Sequence, residues 1–595
     1  MRPGRLLTTL LILCALITPR ALAIDSGADL FAADDAWVPP ANDLDGFHGI
    51  MFSDQAMSLP YSYLRQDNKL KDPSINPTCT SLSDASCNPN ETKHFVSVFH
   101  VCQGPTDKNC IETLEAVSSE GMRIAAQKIG SFPEEPLNSF KGSVGVHLPD
   151  GASSSIWSIP SAPHAGGDTY LLSVAAEGNL FQDSVVASIQ SFDIVLAPVK
   201  IIATHNAGHC QVYLDPKVDC FAGYKSGYQR AHYANIVAGD WISTFAGSDG
   251  IHNCVDRDQE LCAQKFSFPS SFRFSVRVRT NALPVGWLHG RMANPEISIT
   301  EQGNQSILQV EAGPVRVPVV SAGYLWKDLP ATLKALYNVE TGWPINSQGR
   351  DGERITRTAL SPEDFKDPLK RNSTVWPLPS GDNGIAQLKA WLPFVSDKAT
   401  SSNSLWTLRT LRDYEKTGAN KCFDSDSNVT GIVTTNSTEY SAGPPLLNAL
   451  EGKLTYSVSA PHFLSNGTVF KGNYDLVMRS DVARCVYRFT NAPVSASVEI
   501  ISEDGAPQVA TTTVGEKNGW LHLSANEFTY SSPTVKVKLE QAKVEAPVVP
   551  APIAVTPVAA PQTAAVKRSI TCINGKNLKK VTAVNPKCPM GYKLK

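Results

Sequence analysis

At 595 residues, with 42% hydrophobic and 18% charged positions, the chain is long enough for three or four domains and offers no late apolar run that could span a bilayer. Lys and Arg number 53 against 56 Asp and Glu, a net charge of −3, but the balance is uneven: from Lys567 onward stand eight basic residues and no acid, while residues 24–566 carry 42 against 56, or −14. A body of that sign does not suit nucleic acid, and it leaves the cationic end to meet an anionic surface.

In chain order, Arg2 and Arg5 precede an apolar run from Leu6 to Leu16, and Ala21-Leu22-Ala23 forms a small-x-small cleavage site before Ile24. This is the pattern of a signal peptide over residues 1–23, which implies Sec-type export and an extracellular or envelope location. Cysteine usage agrees. Cys14 leaves with the signal, and ten of the other twelve cysteines fall in close pairs: Cys79/Cys87, Cys102/Cys110, Cys210/Cys220, Cys254/Cys262 and Cys572/Cys588. Cys422 and Cys485 remain as a distant pair. Neighbour pairing is the simplest connectivity, each short loop adding on the order of 2–3 kcal/mol by the chain-entropy model. Metal binding is the rival, but no C-x-x-C spacing occurs.

The predominant pattern is of period two. Shorter strands are expected at 95–101, 170–174 and 193–196; Phe272, Phe274, Val276 and Val278 alternate with Arg273, Ser275, Arg277 and Arg279, predicting a half-buried strand with a basic outer face. Val494 to Ile500 and Val535 to Leu539 alternate in the same way. The best helical segments are 331–337 and 384–391. The expected fold is mainly β: multiple β-sandwich domains, Ig-like or jelly-roll-like, stapled by disulfides and with few short helices.

One internal repeat organises the middle. Gly286-Trp287-Leu288-His289 recurs as Gly519-Trp520-Leu521-His522, and at equal offsets follow Ala293-Asn294 and Ala525-Asn526. Upstream, Cys262 and Phe266 match Cys485 and Phe489. The expected order is an N-terminal β-rich domain at 24–199, a first sandwich copy at 200–312, a connecting region with short helices at 313–419 and a second copy at 420–544. A Pro/Ala/Val-rich linker at 545–566 and a disulfide-closed basic tail at 567–595 complete it. The linker cannot form a packed core and reads as a semi-rigid stalk. Within the repeat, Trp and Leu fall on opposite faces of a strand, so the indole is expected to plug a sandwich core. The sharper alternative makes Trp287 and Trp520 glycan-stacking surfaces. His289 and His522 are expected at strand edges with their hydrogen bonds satisfied.

Motifs for chemistry are sparse. His205 and His209 have zinc-protease spacing, but Asn206 stands where the general base belongs and Gly208 opposes a helix. Asp424, Asp426 and Asn428 resemble the start of a calcium loop, yet Val429 replaces its glycine and Thr435 its bidentate Glu. Asp249, Asp256 and Asp258 are further candidates for calcium, and apart from it no cofactor is expected. No Gly-x-Ser-x-Gly elbow or phosphate-cradling loop occurs. A pair of carboxylates from distant strands, as glycoside hydrolysis uses, would leave no local signature.

The last stretch, Ser569-Ile-Thr-Cys-Ile-Asn-Gly-Lys-Asn-Leu-Lys-Lys-Val-Thr-Ala-Val-Asn-Pro-Lys-Cys-Pro-Met-Gly-Tyr-Lys-Leu-Lys595, resembles a short C-terminal module that recurs in exported actinobacterial proteins. That module has no settled function; its placement implies an envelope role. Read from the residues, Ile570, Cys572, Val581 and Val584 fit a hairpin turning at Gly575, closed by Cys572–Cys588 because so small a core needs a staple. Lys576, Lys579, Lys580 and Lys587 would then meet an anionic wall polymer or envelope surface. The leading expectation is a secreted or cell-surface protein with a structural, adhesive or binding role. An extracellular carbohydrate-active hydrolase and a non-catalytic glycan binder are the alternatives.

Overall fold

A computed structural model describes residues 46–203, 254–541 and 566–595, apart from stretches at 55–58, 67–77, 86, 89, 136–137, 183, 259–260, 282–285, 303–304, 348–353, 359–362, 412–414, 416–420, 424–428, 442, 490–493, 502–506, 509–510 and 531–533. The expected signal peptide, Cys210 and Cys220, His205 and His209, Asp249, the Asp424–Asn428 turn and nearly all of the linker therefore lie outside the described residues. The chain divides into two compact units, Met1–Gln541 and Ala542–Lys595.

The protein is mainly β, as the alternating patterns require. The strands Phe272–Thr280, Val494–Ile501 and Thr534–Gln541 form where period-two runs predict them; the expected runs at 170–174 and 193–196 lie within Thr169–Leu180 and Ser188–Ala203, while that at 95–101 is divided at Phe99 between Lys93–Val98 and His100–Val101. The three α-helices among the described residues are Ala331–Lys334, Asp382–Trp391 and Ser480–Tyr487. The third was not expected, although Val482, Ala483 and Val486 bury one helical face. Cys485 on this helix bonds to Cys422, tying it down across 63 residues of sequence; Cys79–Cys87 and Cys102–Cys110 close short loops, and Cys262 is also disulfide-bonded.

A single hydrogen-bonded path runs through ten strands of the larger unit. It passes from Gln127–Phe132 through Ser154–Ser158, Thr169–Leu180, Ser188–Ala203 and Ser401–Thr410 to the Trp287 strand, Gly286–Arg291. It continues through Val429–Thr435 and Lys471–Arg479 to the Trp520 strand, Trp520–Thr529, and ends on Thr511–Lys517. Two smaller sheets cover it. One contains Ala293–Gln302, Gln305–Gly313, Phe272–Thr280 and Cys110–Ser118; the other contains Lys453–Ser459, Thr534–Gln541 and Val494–Ile501.

Successive side chains of a strand point to opposite faces, and the middle strands use both. Leu288, Ile432 and Val477 join the core beneath the first cover sheet, with Phe274, Val276, Leu308 and Val310. Their sequence neighbours Trp287, Val433, Leu476 and Met478 join the second core, with Leu454, Tyr456, Val535 and Val537. The arrangement is a pair of sandwiches that share the middle of one sheet. Trp520 lies in the first core while Leu521 lies in the second, the reverse of Trp287 and Leu288. Each motif tryptophan thus fills the core covered mainly by the other copy's strands.

Serial domains do not describe this topology. The strand Ser188–Ala203 crosses the expected border at 199/200, Phe272–Thr280 pairs with Cys110–Ser118 of the expected N-terminal domain, and Gly286–Arg291 pairs with strands on both sides of 419/420. Alternation reveals which residues face inward, but the identity of a strand's neighbour is a long-range choice. The expected connecting region is equally integrated: Val315–Leu325 pairs with Phe47–Phe52 and Ser401–Thr410, and its helices pack Leu333, Leu388 and Trp391 against Ile50 and Phe52.

Both motif glycines have a backbone reason. Gly286 and Gly519 take φ of +87° and +79°, and Gly519 follows Asn518 at +53°, the Asn-Gly arrangement that joins paired Lys517 and Trp520 in a tight hairpin. The Trp287 ring in turn lies on a bare backbone: a Cβ at Gly431 would come within 2.4 Å of Cζ3 of the indole. Gly431→Ala should therefore cost about 1–3 kcal/mol by overpacking, measured by denaturant unfolding. In a Trp287→Leu background the same change should be nearly neutral, and an undiminished cost there would refute the contact as its cause.

The smaller unit is a three-stranded sheet ordered Asn577–Ala583, Arg568–Asn574, Lys593–Leu594. Its hairpin turns at Gly575, with φ of +62°, and is closed by Cys572–Cys588, as the sequence predicts.

Candidate functional site

The Trp287 strand carries an unusual face. Trp287, His289 and Arg291 alternate with Leu288, Gly290 and Met292 and point into the second sandwich, so an imidazole and a guanidinium enter a buried interior. The neighbouring strand places Arg409 directly beside His289. Above them lies Tyr440, its ring stacked on His289 at 4.1 Å and 5° and covered by the Arg291 guanidinium at 4.5 Å.

Charge in this cluster is balanced pair by pair. Arg291 Nε donates to Asp54, and its Nη1 donates to the carbonyls of Thr435 and Ser437 at 3.0 and 2.7 Å. Arg409 makes a two-pronged pair with Glu415, both bonds 2.7 Å, and donates to Tyr440 Oη at 3.1 Å. His289 is driven well below its ordinary pKa by burial and by the two guanidinium groups, so it is neutral. Glu439 is fully buried beside the first turn of Asp382–Trp391, and neither carboxyl oxygen has a hydrogen-bond partner. Burial raises its pKa well above the usual carboxylate range, with Arg291 opposing; it is a neutral acid. Each guanidinium thus faces a carboxylate, Arg291 that of Asp54 and Arg409 that of Glu415.

A second polar row runs along Lys471–Arg479. Asp475 accepts the backbone N–H of Asn294 at 2.9 Å, the Thr434 hydroxyl at 3.0 Å and the Ser524 hydroxyl, while Asn473 Nδ2 donates to Asn526. The two Ala-Asn pairs of the repeat therefore meet on one strand. At both places the strand bulges, with positive φ at Asn294 and at Glu527.

The exposed counterpart is a shallow groove where the copies meet, lined by Glu296, Ser298 and Glu311 on one side and Lys517 and His522 on the other. Glu296 and Glu311 are cross-strand neighbours, two carboxylates set side by side in this groove. Glycosidic cleavage by such a pair requires one protonated member. Here Lys517 bonds to Glu296 at 3.1 Å and holds its carboxyl below the ordinary range, and Glu311 pairs with Arg123 at 2.6 Å and with Arg273 at 3.4 Å. Glu296 is therefore not poised as an acid. The expected basic outer face of Phe272–Thr280 is neutralised in the same fashion, Arg277 and Arg279 both pairing with Glu112.

The remaining predicted residues sort as follows. Trp287 and Trp520 are only 3% and 7% exposed, so neither offers a ring to a surface glycan; the core-plug reading holds. His289 sits between two paired strands rather than at an edge, and its Nε2 has no hydrogen-bond partner. Asp256 is buried and accepts the Tyr61 hydroxyl at 2.7 Å. Among the described residues no group of three or more His, Cys, Asp or Glu side chains is arranged to hold a metal ion. No helix among them is long and apolar enough to cross a membrane. The four tail lysines are not gathered on one face: Lys579 and Lys580 are successive residues of Asn577–Ala583 and point oppositely, Lys576 is in the turn, and Lys587 precedes Cys588.

The Arg291–Arg409–Glu439 cluster was missed from sequence. Its signal is a charge inside an apolar run, as in Gly-Trp-Leu-His-Gly-Arg-Met and Leu-Trp-Thr-Leu-Arg-Thr-Leu. In comparisons with known proteins, no family model, curated protein or solved structure matches the chain.

Two stability predictions arise from this interior. Glu415→Gln leaves the partly buried Arg409 without its anion and should destabilise by about 1–3 kcal/mol in denaturant; a change below about 0.5 kcal/mol would contradict a pair that supports the fold. For Glu439 the folded pKa lies above the unfolded value near 4.5. The stability this group contributes is complete below pH 4.5 and is lost as pH rises through the folded pKa. Glu439→Gln should thus melt higher than the parent at pH 7.5 and match it at pH 4, whereas a difference constant with pH would exclude a buried neutral acid.

Proposed function

We propose that the chain is a secreted or cell-surface protein with a structural, adhesive or binding role, held at an anionic envelope surface through its basic tail. The observation that carries this reading is where the perturbed groups sit. His289 and Glu439, both driven far from ordinary titration by burial, are sealed between packed layers beyond the reach of a substrate. Perturbed groups in a cleft point to chemistry; sealed and mutually neutralised ones serve to fix how sheets meet. Disulfides pin loops and a helix onto this body, a device suited to an oxidising compartment.

The tail supports attachment. It has eight cations and no acid, against a body of opposite sign, so attraction to an anionic surface draws on the tail alone. Wall-fraction retention of the intact protein should be strong at low salt and fall as ionic strength rises. A chain ended at Thr563 should be lost from that fraction throughout. Equal, salt-insensitive retention of both would overturn attachment through the tail.

A further inference from the structure

The tail's two sheet faces are not equivalent. Cys572 is fully buried and bonded to Cys588, so the segment after Ala583 is drawn across the face that Cys572 shares with its cross-strand partners Lys579 and Leu594. The opposite face carries the alternate residues. One row across the three strands is Leu578, Ile573 and Lys593, fixed by the pairings of Ile573 with both others. In the next, Lys580 pairs with Thr571, whose carbonyl accepts the backbone N–H of Lys595 at 2.9 Å. The third pairs Ser569 with Thr582. Leu578 is 56% exposed, Ile573 is partly exposed, and every lysine here is exposed. The face is therefore two apolar side chains set among Lys580, Lys593 and Lys595, with no Asp or Glu side chain in the tail sequence to neutralise them.

A polyanion in water would satisfy those lysines but do nothing for Leu578 and Ile573. The boundary of an anionic bilayer satisfies both, because cationic groups reach headgroup phosphates while adjacent apolar chains enter the acyl edge. Resting on the attachment reading above, we infer that the open face of the tail sheet binds anionic lipid headgroups, with Leu578 and Ile573 at the acyl boundary and Lys580, Lys593 and Lys595 on the phosphates.

The test uses the full chain, sedimented with vesicles of phosphatidylglycerol and phosphatidylcholine and, separately, mixed with soluble poly(glycerol phosphate). Two triple variants carry the same charge change: Lys580→Gln/Lys593→Gln/Lys595→Gln on the open face, and Lys576→Gln/Lys579→Gln/Lys587→Gln off it. The first should weaken vesicle binding roughly a hundredfold and the second less than about tenfold. Leu578→Asn should weaken vesicle binding roughly fivefold and leave polymer binding unchanged. Equal losses for the two triples, or vesicle binding indifferent to Leu578, would overturn the face. Polymer binding without vesicle binding would overturn the lipid partner but keep the attachment reading, and binding to neither would overturn both.

Discussion

The middle of the long sheet, where one set of strands serves two cores, is the constraint on which the rest of the larger unit depends. A strand covered on both faces cannot alternate apolar and polar; each of its side chains must fit one interior or the other. The Trp287 strand and its neighbours meet this with two interdigitated apolar sets, Leu288, Ile432 and Val477 on one side and Trp287, Val433 and Met478 on the other. Because Trp287 and Trp520 point to opposite sides, neither sandwich has a complete core without a residue from the other repeat copy. That reciprocity makes the larger unit one compact body, in spite of a sequence that repeats itself.

A doubly covered sheet also raises the cost of every polar group within it. Desolvating a guanidinium is expensive unless a carboxylate and hydrogen bonds replace water. Arg291 and Arg409 each have both, Arg291 from distant Asp54 and Arg409 from nearby Glu415. Glu439 has no such partner and avoids the cost by keeping its proton. The same arrangement that makes His289, Arg291 and Glu439 electrostatically unusual removes them from solvent. Polar specificity here selects which strands meet, since Asn294 and Asn526 can find their bonds only where the two bulges converge on Lys471–Arg479.

The tail works by the contrary principle. It is too small to bury its apolar residues, so Leu578 and its neighbours stay at the surface beside unpaired positive charge. The body pairs many of its charges internally, whereas the tail leaves its cations and part of its apolar surface exposed.

Sequence alone determined the class of structure and much of its local detail. Period-two alternation marked the strands, cysteine spacing marked the local staples, and the hairpin of the tail was legible from Gly575 and two cysteines. Those signals are local, arising from the pleat and from short loops. The repeat was legible as well, and it correctly placed Trp and Leu on opposite faces. What only the tertiary structure decided was partnership. That Phe272–Thr280 pairs with Cys110–Ser118, that the two tryptophans exchange cores, and that Asp54 meets Arg291 are choices among many apolar and charged segments of similar local character. A strand's own residues state which side is buried; they do not state beneath what, because that energy is realised only when distant segments close together.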